Sequence, residues 1–245
     1  MKFKKLLAVL LAFSMIMSVS AVAWADDSSE EPVDVENIAQ EITEENDPSD
    51  ELVFDKTEEV SEENGVVATL SLCSVVYLWP ISGHTFIYVQ NNSDKPIQVG
   101  HYEVPVGQGV SVGSFSFSVH DGWGLYYNIE GYKENIRGRI GDVWSISEEL
   151  DVNELKTLND SLRSYPNYWG FGANCATFAF SIWNSVTGDH FVSLLIPAIS
   201  EFMVMVGGGK KGVLPLYLPE RNQIMRQKGT GDDAYLVVAS DGTIS

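Results

Sequence analysis

Asn174-Cys175-Ala176-Thr177-Phe178-Ala179 reads as the opening of a helix, with an asparagine cap and a cysteine in the first turn. About ninety residues earlier, Gly83-His84-Thr85-Phe86-Ile87-Tyr88-Val89 reads as a strand that opens on a histidine. The first-turn amides of a helix have no intrahelical partners and carry partial positive charge. A thiolate placed there is stabilised, and a nearby imidazole can take or share its proton. Cys175 is therefore the candidate nucleophile and His84 the candidate general base. The Cys175 backbone N–H is the candidate donor to a developing oxyanion.

The segments around these two supply the rest of an α+β chain. Val66 to Trp79 is rich in Val and Leu and reads as strand. His84 to Gln90, a turn at Asn91-Asn92-Ser93-Asp94 and a return from Lys95 to Val104 read as a hairpin. A symmetric turn would set His84 opposite His101. Gly107–Ser118, Trp123–Ile129 and Asp142–Ile146 read as further strands. Asp151 with Glu154 three positions on is a capping-box variant, and Val152, Leu155, Leu158 and Leu162 form one helical stripe. Gly188 is the expected stop of the cysteine helix. Beyond it, Phe191–Met205 reads as helix around Pro197, Gly207–Lys211 as a flexible break, and Tyr235–Val238 as a short strand.

An imidazole needs a third group to hold its tautomer and pose. His101 is the first candidate for that orienting role, with Glu103 and Glu130 as competitors. His120 and His190 read as surface residues. The second cysteine, Cys73, lies in an apolar strand, where a lone buried thiol is ordinary. In an exported two-cysteine chain, a Cys73–Cys175 disulfide is the competing reading.

Export is expected from the N-terminus. Met1-Lys2-Phe3-Lys4-Lys5, an apolar run from Leu6 to Val22 and Ala23-Trp24-Ala25 make a secretory signal with cleavage near Ala25. No later segment is long and apolar enough to suggest stable membrane insertion. The chain then divides into residues 1–25 (signal), 26–65 (an acidic segment expected to be disordered), 66–206 (a folded domain) and 207–245 (a C-terminal extension). Residues 26–63 hold 17 acidic groups against one lysine, so most of the net charge of −19 belongs to this segment. Such a block cannot bury enough apolar surface to offset its ordering entropy. With no basic concentration anywhere, nucleic acid is a poor partner. HExxH, CxxC, GxGxxG and GxSxG patterns are all absent, so no metal and no cofactor is expected.

The order of a histidine strand before an Asn-Cys helix resembles the circularly permuted papain-like superfamily, the NlpC-type branch that also contains lecithin retinol acyltransferase. The resemblance rests on Gly83 to Val89 and Asn174 to Ala179 and spans about Leu70 to Gly188. It implies a small antiparallel sheet packed against the cysteine-bearing helix, with the helix start facing the histidine strand. It also implies acyl chemistry through a thioester, on peptide, peptidoglycan or other amide substrates. In some members a second histidine stands on the next strand, which would fall on His101. The expectation is a secreted cysteine peptidase or amidase. The alternative is a non-catalytic extracellular binding domain on the same scaffold, its two cysteines bridged.

Overall fold

The computed structural model describes residues 65–78, 82–115, 122–167, 174–192 and 197–240. The signal and acidic segments, His120 and most of the loop before Asn174 lie outside these residues. The strands are β1 (Ala68–Leu78), β2 (Ser82–Asn91), β3 (Ile97–Val99), β4 (Tyr102–Val104), β5 (Gly109–Phe115), β6 (Gly124–Tyr127), β7 (Trp144–Leu150), β8 (Lys210–Lys211), β9 (Met225–Lys228) and β10 (Tyr235–Val238). The helices are α1 (Ile129–Ile136), α2 (Val152–Ser164), α3 (Cys175–Thr187) and α4 (Pro197–Val206).

Eight strands form one antiparallel sheet in the order β10-β9-β6-β5-β2-β1-β7-β8. β1 and β2 lie near its centre, and their residues are buried on both faces. That explains the unbroken apolar run Phe86 to Val89 in β2, where a one-sided strand would alternate. α3 packs on β2 and β5, with α2 beside it. Phe178, Ala179, Phe180, Ile182 and Trp183 of α3 share one core with Leu70, Leu72, Ile87, Val89 and the α2 leucines.

The hairpin expectation fails here. β2 pairs with β1 on one side and with β5 on the other, so His84 faces Val75 rather than His101. The expected return strand instead folds on itself as the separate β3–β4 ribbon, with His101 in its tight turn. Asn91 explains the departure. Its side chain donates to the carbonyls of Lys95 and Val104 and accepts from the Ser93 backbone, tying the turn to the ribbon. The sheet is also larger than the small one expected. Within residues 207–240, β8 adds to β7 at one edge, where a flexible break was read, and β9 and β10 extend the other.

The α2 cap forms as the sequence implies. Asp151 accepts from the N–H groups of Asn153 and Glu154 at 2.8 Å each, and Glu154 accepts from the Asp151 N–H at 2.9 Å. Asp151→Ala should therefore cost about 1 kcal/mol, read as a fall in the urea midpoint without a change of slope. α2 buttresses α3 from the side, so the cap supports the cysteine helix indirectly.

Candidate active site

α3 begins at Cys175. The Asn174 side chain accepts from the Thr177 N–H at 3.0 Å and from its hydroxyl at 3.2 Å, which holds the first turn in place. At the other end Gly188 takes a left-handed φ of 71° and stops the helix. Because α3 crosses β2, its first turn comes to the end of the strand that carries His84. The Cys175 sulfur lies beside the His84 side chain and the backbone N–H groups of Thr85 and Ala176, and all three favour its thiolate.

His84 is 8% exposed. Its ring lies against Phe115, with centroids 4.4 Å apart, and stacks on Phe86 at 5.9 Å. Its Nε2 is 2.9 Å from Glu130 Oε1, and Glu130 is itself only 2% exposed. With Nε2 held there, Nδ1 is the ring nitrogen left to exchange a proton with the sulfur. Glu130 stands in the first turn of α1, where the helix end favours negative charge. A second carboxylate one turn along, Glu134, accepts from the Tyr77 hydroxyl at 2.8 Å and ties α1 to the end of β1.

These contacts set the charge state. Burial opposes a charge on His84, but the Cys175 thiolate and Glu130 outweigh it and push the imidazole up to about 10. Burial also works against the Cys175 thiolate. The imidazolium and the two backbone amides overcome it and hold the thiol below its ordinary value. These contacts favour the thiolate–imidazolium form of the pair, with Glu130 bonded behind the ring. Tyr165, edge-on to Phe178 at 4.9 Å, is close enough to feel the thiolate: burial first, and that charge second, push its hydroxyl up to about 12.

His101 stands apart from this group. Burial and the neighbouring Arg163 guanidinium lower its pKa, and its other neighbours are Gly231, Asp232 and Tyr127. It does not orient His84. Glu103 sits on β4 opposite Gln98 and does not do so either. His190 is exposed, as read. Cys73 is fully buried on β1, its thiol directed at the Ser71 carbonyl at 3.8 Å, and burial holds it well above the usual thiol range. Both cysteines are free, so the Cys73–Cys175 bridge does not form.

α1 was missed because its buried face is Ile129, Glu130, Gly131 and Glu134. Two acids and a glycine on the inward side invert the hydrophobic period that marks a helix. The preceding Tyr126-Tyr127 also invites a strand to run on. Asn128 ends it with a left-handed φ of 70°, its side chain bonded to the Gln223 carbonyl at 2.9 Å. The usable signal was Asn128 before an acid, with Gly138 as the stop. No family model matches the chain, and no curated protein or solved structure does.

Proposed function

We propose that this chain is an exported thiol hydrolase, an amidase or endopeptidase working through Cys175, His84 and Glu130. The observation that carries the reading is the sulfur of a helix-start cysteine beside a buried imidazole, itself bonded to a buried carboxylate. The permuted papain-like scaffold and wall peptides as substrates come with it as parts of the same proposal. The order of histidine strand and cysteine helix, and the packing of α3 on β2, are consistent with that scaffold.

The chemistry follows from the pairing. The Cys175 thiolate attacks the substrate carbonyl, forming a C–S bond while the carbonyl electrons move onto oxygen. The Cys175 backbone N–H at the start of α3 is the candidate donor to that charge. As the tetrahedral species collapses, the C–N bond breaks and the imidazolium gives its proton to the departing amine. Water then attacks the thioester, His84 takes its proton, and the acid leaves as the thiolate returns. Glu130 keeps the proton on the correct nitrogen and balances the imidazolium charge.

Incubation with wall peptides should trap an acyl adduct on the Cys175 peptide, detected by mass. An adduct elsewhere, or turnover that survives loss of the thiol, would remove the reading. Glu130→Gln keeps the shape but not the charge. It should lower kcat/KM by roughly 10²-fold or more, whereas His101→Ala should leave it unchanged.

A further inference from the structure

β5 presents Ser111, Gly113 and Phe115 on one face, since alternate residues of a strand point the same way. Each meets the site differently. The Ser111 hydroxyl accepts from the Gly131 N–H at 3.1 Å and so fixes the first turn of α1. The Phe115 ring lies on the imidazole. Between them, Gly113 presents no side chain. A Cβ built there would stand 1.7 Å from Glu130 Oε1 and 2.8 Å from His84 Nε2, the two atoms that make the 2.9 Å bond. Gly113 does not have a positive φ, so its backbone would accept any residue. What the position requires is empty space.

We propose that Gly113 is a positioning residue, the slot in which the His84–Glu130 hydrogen bond forms. This rests on the thiol-hydrolase reading and adds to it a determinant that acts through the His84–Glu130 bond. The atom most in the way is the far end of a flexible glutamate side chain, with His84 Nε2 crowded less. An added methyl group can therefore be relieved by swinging the carboxylate aside, which saves the fold and breaks the pair. With the imidazolium no longer backed, the thiolate loses part of its support.

The test is the pH dependence of Cys175 alkylation by iodoacetamide, which needs no substrate. Gly113→Ala should raise the inflection by about one pH unit. Gly109→Ala is the matched control on the same strand. Its Cβ would stand 2.0 Å from the Tyr88 hydroxyl and 2.3 Å from Tyr88 Cζ, a severe crowding whose nearest atoms are not those of the pair. It should lower thermal stability while the inflection stays put. In a Glu130→Ala background the 1.7 Å obstruction is gone and only the 2.8 Å approach to His84 Nε2 remains, so adding Gly113→Ala should shift the inflection by less than it does alone. An unmoved inflection in Gly113→Ala, or additive shifts in the double variant, overturns the proposal. If Gly113→Ala fails to fold, folding of the double variant supports the slot and its failure overturns it. A wild-type inflection in the ordinary thiol range removes the hydrolase reading and this role together. A low wild-type inflection that Gly113→Ala leaves in place removes only the role of Gly113.

Discussion

His84→Ala should abolish turnover and move the Cys175 titration upward. The imidazole does two things for the sulfur. Its positive charge offsets the burial that otherwise opposes the thiolate, and its proton is the one the leaving amine needs. Loss of the proton carrier costs about 10² to 10⁴ in rate, and loss of the thiolate at neutral pH multiplies that. Peptide hydrolysis gives the first effect, and the pH profile of iodoacetamide labelling gives the second. The variant also leaves Glu130 buried without its partner, which should cost about 1 to 3 kcal/mol. His84→Asn, which can still bond to the carboxylate, should recover much of that stability and none of the rate. Rate recovered along with stability would show that His84 is structural.

Cys175→Ala should bring activity to background with the fold intact. The side chain is half-buried at a helix start whose cap comes from Asn174, so little packing is lost. The sharper consequence falls on His84. Without the thiolate the imidazole loses the first of the groups that raise it, while burial still pulls it down and Glu130 still holds it. Its titration, followed by NMR, should move down from about 10 in the wild type. An unchanged histidine titration would mean that sulfur and ring do not interact.

The pair also shapes the pH response. The thiolate forms as pH rises through a depressed thiol pKa, giving the acid limb of activity. The imidazolium persists until pH approaches about 10, giving the alkaline limb. The plateau between them belongs to the coupled pair rather than to either residue.

The sequence showed the two ends of this site more clearly than its middle. Cys175 and His84 could be read because each sits at an element boundary with a strong local signature: an Asn cap in one case, a Ser-Gly before an apolar run in the other. The α2 capping box could be read for the same reason. His101 was the wrong third group because strand register is a long-range property. Asn91 diverts the chain into the β3–β4 ribbon, and β5 takes the place expected of the return strand. Glu130 ranked only as a competitor because its helix hides acids where apolar residues are looked for. Gly113 could not be recognised at all, since a glycine needed for space leaves no pattern along the chain. β8 and β9 were missed because strands of two and four residues with lysines carry little periodic signal.

The most direct measurement is the thiolate absorbance of the native protein as a function of pH, with Cys175→Ala as the blank to remove Cys73. One step is expected below the ordinary thiol pKa of about 8.5, displaced upward in His84→Ala. A single step at or above that value, identical in both proteins, would contradict it.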